Sequence, residues 1–223
     1  MEAALPRETD HSRMIAAAAR HALTPLGFWR KGKSRIWLAD RGFWLVVIEF
    51  QPSGFSKGSY LNVSAHWIWG ATPNSLSFDY IIMNKKPWIE FKDVEQFAPQ
   101  IERLAQQAAI ETHRLETQIG NIRSAAKILL AMEETSSSEN RGGGWLAFNA
   151  AVAAGASGDL ASARIFMTKA YDSLVAWRAD MQPLLVPYLS ALDDEETFVK
   201  FVRDRIDERR AELGLGPNRA AKS

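Results

Sequence analysis

Apolar residues are spaced in two different ways along this chain, and the spacing changes near residue 95. Before that point, the pattern predicts a helix that Thr9 or Asp10 caps, followed by four strands at about 28–39, 43–51, 60–69 and 76–83. Short turns at Asp40-Arg41-Gly42 and Thr72-Pro73-Asn74 favour an antiparallel meander. We therefore expect an α+β domain over residues 1–95, with one helix packed on a four-stranded sheet.

The second predicted strand, Phe43 to Gln51, is apolar on both faces, which is typical of a central strand covered on both sides. The third strand alternates instead. Its apolar side chains share one face, and Asn62, Ser64 and His66 form a polar row on the other. This row is a candidate ligand-binding surface; the alternative is the solvated or helix-covered face of a sheet.

From Asp93 onward the apolar spacing becomes helical. A long amphipathic stretch follows, which Gly120-Asn121 divides, and then a low-complexity segment at 135–144 that predicts a flexible linker. Beyond it we expect a helix pair, Trp145 to Gly155 and Leu160 to Trp177, joined at Gly158-Asp159. A last helix begins at Asp193 or Asp194 and ends at Gly214. Residues 96–223 are therefore predicted to form a helical domain.

Composition supports this division. Residues 1–100 hold 15 of the 23 aromatic side chains, which favour strands, whereas alanine is concentrated after Ala105. With 47% apolar and 24% charged residues, the composition is that of a globular protein. The chain has no cysteine, which excludes disulfides, thiolate metal sites and a cysteine nucleophile, and fits a reducing cytosol.

The net charge and the absence of targeting signals give less information about possible binding partners than the composition gives about the fold. The net charge is +1, so nucleic acid or an acidic membrane could be bound only through a local patch. The first ten residues lack the basic and apolar regions of a secretory signal, and no apolar run approaches the roughly 18 residues that span a bilayer. We expect a cytoplasmic protein with no membrane partner.

A basic segment in the first strand is the first candidate for chemistry. Arg30, Lys31, Lys33 and Arg35 lie in a sheet rich in aromatic residues, and such residues together bind single-stranded nucleic acid. The alternative is a solvated basic edge strand, which discourages association between sheets.

Acidic residues on neighbouring strands are the second candidate. Metal-dependent nucleases place an acid on one strand and Glu-x-Lys, or sometimes Glu-x-Gln, on the next to hold Mg²⁺. Asp40, Glu49 and Gln51 partly fit that order, although Asp40 falls in a predicted turn and no lysine occupies position 51. The four histidines lack metal-ligand spacing, and no phosphate-binding loop or nucleophile elbow is present. We expect no catalytic residues, no metal and no cofactor.

Two stretches resemble known families. Leu26-Gly27-Phe28-Trp29-Arg30-Lys31, then Phe43 to Phe50 with Gln51-Pro52-Ser53, Tyr60-Leu61-Asn62-Val63 and Pro87-Trp88, resemble the bacterial domain of unknown function 4304 over about residues 10–118. That resemblance implies no known catalytic residues. Gly158-Asp159-Leu160, Ala163, Phe166 and Ala170 resemble half of a single tetratricopeptide-type helical hairpin. A generic helical hairpin is the alternative, because a solenoid needs about three repeats.

These observations favour a non-enzymatic protein-interaction module of a bacterial cytosolic protein, either an adaptor or an immunity-like protein. The absence of a catalytic constellation and the large aromatic content of the sheet motivate that expectation. The alternative is a nucleic-acid-binding protein or a Mg²⁺-dependent nuclease that uses the basic, aromatic sheet.

Overall fold

The computed structural model describes residues 10–70, 76–135, 144–177 and 179–216. Seven helices lie in these ranges: α1 Asp10–Leu23, α2 Val94–Gln118, α3 Ile122–Thr135, α4 Trp145–Ala156, α5 Leu160–Trp177, α6 Gln182–Ala191 and α7 Glu195–Glu212. The strands of the described residues are β1 Trp29–Arg30, β2 Ile36–Asp40, β3 Trp44–Gln51, β4 Gly58–Trp67, β5 Tyr80–Met83 and β6 Trp88–Glu90. The fold is α+β, with an N-terminal helix, an antiparallel sheet and a helical C-terminal part, as the sequence predicts.

The described chain divides into two units. The first contains the described residues of Met1–Arg41, Leu45–His66 and Tyr80–Leu115, and therefore α1, most of the sheet and most of α2. The second contains those of Gly42–Trp44, Trp67–Asp79 and Glu116–Ser223. The second unit thus combines the C-terminal helices with two short segments, one that contains the beginning of β3 and one that contains the end of β4.

The sheet has the strand order β1-β2-β3-β4-β5, and β6 also pairs with β4. In β3 every residue from Trp44 to Ile48 is buried, whichever face it lies on. The prediction of a central strand covered on both faces is therefore confirmed. Burial of this apolar strand supplies much of the sheet's stability, at roughly 25 cal/mol for each Å² of apolar surface removed from water.

The predicted first strand differs from the structure, because it is a hairpin rather than one strand. Trp29 pairs with Leu38 and Arg30 with Trp37, across a turn that contains Gly32 at φ +56°. The turn is fixed by the Arg30 side chain, whose Nε donates to the Ser34 carbonyl at 2.6 Å. Asp40 also differs from its prediction, because it ends β2 and pairs with Leu45 instead of lying in the turn.

The predicted fourth strand is shorter than expected and is followed by another one. β5 pairs with β4 at Ala65↔Tyr80, and β6 pairs with the beginning of β4 at Gly58↔Glu90. Residues 84–87 interrupt this outer edge between β5 and β6, so the described sheet has six strands where the pattern predicts four. The predicted turn at Thr72-Pro73-Asn74 lies outside the described residues.

The helices α2 to α5 and α7 begin and end close to their predicted boundaries. α2 ends at Gln118 and α3 begins at Ile122, where Asn121 Oδ1 accepts the Ser124 backbone N–H at 2.9 Å, so the predicted division is confirmed. The helix pair α4 and α5 is joined around Gly158, as predicted. The described C-terminal helices contain a further helix, α6, over the short segment that Pro183 and Pro187 punctuate. Of the predicted flexible segment, residues 136–143 lie outside the described residues.

No helix within the described ranges is long and apolar enough to cross a membrane.

Candidate functional site

The polar row predicted as a ligand site begins at Asn62, whose side chain is fully used by hydrogen bonds inside the first unit. Its Nδ2 donates to Glu49 Oε2 at 2.9 Å and to Gln51 Oε1 at 2.8 Å. Its Oδ1 accepts the backbone N–H of Lys85 at 2.7 Å. Asn62 therefore ties β3 to β4 and fixes the beginning of the segment that joins β5 to β6.

Ser64 and His66 complete the row, and both are in the interior. Ser64 has no exposed surface and His66 is 3% exposed. Because Asn62 is also only 6% exposed, all three side chains of the row are buried in the described structure. A ligand-binding role for the row stays a prediction.

Asp40 is not brought together with Glu49 and Gln51. In the β2–β3 register Asp40 lies opposite Leu45, whereas Glu49 lies opposite Ile36. The two acidic residues are thus four positions apart along the strands, or about 13 Å at about 3.3 Å per residue. In the described part of the chain, no three histidine or acidic side chains are grouped so that they could hold a metal ion.

Three aromatic side chains of the second unit are packed against each other. Phe43, Trp67 and Trp69 are stacked within 5° of parallel, with the two indole centroids 5.0 Å apart. Trp67 and Trp69 have almost no exposed surface. Their faces are therefore used in the core, and they cannot serve as a platform for nucleic-acid bases.

The four predicted basic residues have two different roles. Arg30 holds the β1–β2 turn, and the guanidinium of Arg35 donates to Ser12 Oγ at 2.8 Å and to the Gly58 carbonyl at 3.1 Å. Lys31 and Lys33, in contrast, are exposed on the turn. The arginines thus position the turn, and the lysines present charge to solvent.

Three further lysines extend this charge. Lys57 is the last residue of the loop between β3 and β4. Arg35 donates to the carbonyl of the next residue, Gly58, and so holds this end of the loop near the first strands. Lys85 and Lys86 lie in the 84–87 segment, which runs along the outer edge of β4. Asn62 fixes this segment by accepting the Lys85 backbone N–H. We define Lys31, Lys33, Lys57, Lys85 and Lys86 as the basic surface. Since neighbouring strands are about 4.8 Å apart, it spreads over roughly 20 Å.

The lysines of the basic surface differ from basic side chains elsewhere in the described structure. None of them lies within 4.0 Å of a carboxylate among the described residues, although all five are exposed. In the second unit, by comparison, Lys169 pairs with Glu133 and Lys200 with Asp204, both at 2.6 Å. Two acidic side chains of the sheet have other partners: Glu49 accepts from Asn62, and Glu90 lies 3.9 Å from Lys92.

The charge balance of the first unit agrees with this geometry. Its sequence ranges contain 14 lysine and arginine residues against 10 acidic ones, whereas the whole chain is nearly neutral. The pKa of His11 is lowered first by burial and then by the positive charges of Arg35 and Lys57, and is raised by Asp10.

The sequence pattern does not single out Lys57, Lys85 and Lys86, because Lys57 lies in the β3–β4 loop, the other two follow β5, and no basic run joins them. The signal that could have found them is topological. In a meander, alternate connections lie at the same end of the sheet, so the β1–β2 turn and the β3–β4 loop are neighbours whatever their separation in sequence. No comparable rule predicts that residues 84–87 interrupt the strand and bring Lys85 and Lys86 to this edge.

No family model, curated protein or solved structure matches this chain. The resemblance to domain of unknown function 4304 and the single tetratricopeptide-like hairpin therefore stay predictions.

Proposed function

We propose that this protein is a non-enzymatic binding module that holds nucleic acid against the basic surface. The observation that supports the proposal is the set of five exposed lysines, on three separate segments, without carboxylate partners among the described residues. A polynucleotide presents a regular line of phosphate charges, and lysines that neutralise them release condensed counterions. Charge complementarity therefore favours this ligand.

The residue types favour a phosphate-bearing ligand over a protein surface. Lysine is depleted at protein–protein interfaces, where tyrosine, tryptophan and arginine supply most of the binding energy. The two arginines of this region, Arg30 and Arg35, are engaged with backbone carbonyls and with α1. Lysine binds phosphate as a point charge and needs no fixed bidentate geometry, which suits exposed, mobile side chains.

The proposal contains no cleavage step. Asp40 lies four positions along the sheet from Glu49, and the Asn62 amide donates to one oxygen of Glu49 and to the side-chain oxygen of Gln51. A nuclease site at Asp40, Glu49 and Gln51 would need both arrangements to change.

Fluorescence anisotropy with a labelled 20-nucleotide DNA or RNA of mixed sequence, at several salt concentrations, tests the proposal. We expect the logarithm of the binding constant to fall linearly with the logarithm of salt concentration. The double variant Lys85→Gln/Lys86→Gln should reduce the magnitude of that slope by about 1.4, since each phosphate contact on a single strand contributes about 0.7.

The matched control is Lys127→Gln/Arg203→Gln, which removes the same charge from exposed positions in the second unit. It should leave the slope unchanged. Absence of binding by the wild-type protein at low salt, or an equal change of slope in both double variants, would exclude the basic surface as the site.

The second candidate is the protein-interaction module that the sequence favours, in an adaptor or immunity-like role in the bacterial cytoplasm. Two exposed aliphatic side chains of the second unit support it: Ile165 is 65% exposed and Val186 is 44% exposed. Affinity capture with the wild-type protein and with Ile165→Asp tests it. A stoichiometric partner that Ile165→Asp loses and Lys85→Gln/Lys86→Gln keeps would favour this candidate over nucleic-acid binding.

A further inference from the structure

Phe55 is the most exposed large apolar side chain of the described residues, and it lies next to the basic surface. Its relative exposure is 103%, so the ring makes no covering contact with the protein. It lies in the β3–β4 loop, two residues before Lys57. The loop is shaped locally: the Phe55 backbone N–H donates to Ser53 Oγ at 3.1 Å, and the space around Gly54 is open.

The other aromatic side chains of the sheet are less exposed than Phe55; the most exposed of those in the described strands is Trp29 in β1, at 38%. Trp37, Trp44 and Phe50 are at most 3% exposed, in agreement with their places in the core. Tyr60 and Trp88 are half-buried and pack against each other at 4.5 Å between centroids. Phe55 alone among the sheet's described aromatic rings combines full exposure with a lysine of the basic surface in the same loop.

We infer that Phe55 stacks on an unpaired base, so that the ligand of the basic surface is single-stranded nucleic acid. This inference rests on the proposed function and adds the strand class to it. An aromatic ring beside a line of lysines is the general arrangement for binding single strands, in which charges follow the phosphates and rings stack on the bases. In a duplex the base faces are already stacked on each other, and Phe55 would have no equivalent partner.

Two contributions can then be separated experimentally. The lysines contribute the part of the affinity that depends on salt, and Phe55 contributes a part that does not, because stacking releases no counterions. Removing the ring should weaken binding of an oligonucleotide about tenfold, near the lower end of the range found when stacking aromatics are replaced by alanine. The salt slope should not change.

The experiment compares wild-type protein with Phe55→Ala, Phe55→Leu and Phe55→Trp on four probes: a 20-nucleotide oligothymidylate, an abasic strand of equal length, a 20-base-pair duplex, and vesicles containing phosphatidylserine. We expect Phe55→Ala and Phe55→Leu to lose about tenfold in affinity for oligothymidylate, with Phe55→Trp near wild type. Binding to the abasic strand and the duplex should be the same for all four proteins. Because Phe55 is fully exposed, the variants should fold normally, which circular dichroism and the melting temperature check.

The outcomes distinguish the inference from the proposed function. If oligothymidylate binds with the lysine-dependent salt slope but Phe55→Ala changes nothing, or if Phe55→Leu matches wild type, the stacking inference is overturned and nucleic-acid binding stands. If the wild-type protein binds no oligonucleotide at low salt, both fail. If only the vesicles bind, and Phe55→Ala reduces that binding, the ring inserts into lipid and single-stranded nucleic acid is not the ligand.

Discussion

The indole N–H of Trp69 donates a hydrogen bond of 3.0 Å to the side-chain oxygen of Asn149 in the interior of the second unit. Trp69 has no exposed surface and Asn149 is 7% exposed, so water has little access to either group. The carbonyl of Trp69 accepts the Tyr188 hydroxyl at 2.7 Å. The segment after β4 is thus held to α4 and α6 by polar groups that have no substitute partner in water.

We predict that Asn149→Ala lowers the free energy of unfolding by about 2 kcal/mol, because it leaves a buried indole donor without an acceptor. Urea denaturation measures this loss. A double-mutant cycle with Trp69→Phe separates the hydrogen bond from lost packing: the Asn149→Ala cost should be clearly smaller in the Trp69→Phe protein. Equal costs in both proteins would show that the bond contributes nothing specific.

The hydrogen bonds of Asn62 lead to a second prediction. Asn62→Asp removes two donors and places a second carboxylate beside Glu49, so the free energy of unfolding at neutral pH should fall by about 2 kcal/mol or more. Introducing Glu49→Gln into this variant removes the like charge and should recover part of the loss, measured by chemical denaturation. If Glu49→Gln fails to stabilise the Asn62→Asp protein, charge repulsion is not the cause.

Gly155 is required by close packing between α4 and α7. A Cβ atom at this position would lie 2.3 Å from Cε1 of Phe198, which is completely buried, and 3.1 Å from Cβ of Ala163. Replacing glycine by alanine inside a helix ordinarily stabilises it by about 1 kcal/mol. We predict the opposite sign for Gly155→Ala, a loss of about 2 kcal/mol from overpacking, measured by the shift of the urea midpoint.

A smaller partner should relieve this clash. We expect Gly155→Ala to cost less in a Phe198→Leu protein than in the wild type, and Gly54→Ala, at an open loop position, to be nearly neutral. A stabilising Gly155→Ala would mean that α4 and α7 are not packed this closely.

The pKa of His11 is lowered from 6.5 by burial, then by Arg35 and Lys57, and is raised slightly by Asp10. His11 Nε2 lies 3.0 Å from Nη2 of Arg35, so the neutral ring can accept the guanidinium N–H. Because the folded pKa lies below the unfolded one, the unfolded chain binds more protons between the two values. The free energy of unfolding therefore rises with pH through this window. The contribution of His11 to it is lost progressively as the pH falls below about 6.5 toward the folded pKa.

We predict that the free energy of unfolding falls less steeply from about pH 7.5 to 5.5 in His11→Gln than in the wild type, because glutamine keeps an acceptor and does not titrate. Urea denaturation at a series of pH values measures the difference, and the other histidines are common to both proteins. Identical pH profiles would contradict a coupling between His11 and the basic groups around it.

The sequence was informative wherever one side-chain pattern determined one element. The run from Trp44 to Ile48 is apolar on both faces, and no position for it other than the middle of the sheet buries both. The helix boundary at Asn121 and the hairpin around Gly158 follow from local capping and turn chemistry. The hairpin at Lys31–Ser34 was missed because its apolar residues continue the alternation of one long strand. The turn is seen in the positive φ of Gly32, in the Arg30 hydrogen bonds, and in the Ser34 N–H that donates to the Lys31 carbonyl.

By itself, the sequence determined the fold class, the central strand and most helix boundaries, because periodicity and caps act over a few neighbouring residues. The tertiary structure decided which polar residues share a surface. It placed Lys57 beside the β1–β2 turn, separated Asp40 from Glu49, and buried Asn62, Ser64 and His66. These outcomes depend on strand register and on contacts between distant segments, and neither is encoded in any local pattern of side chains.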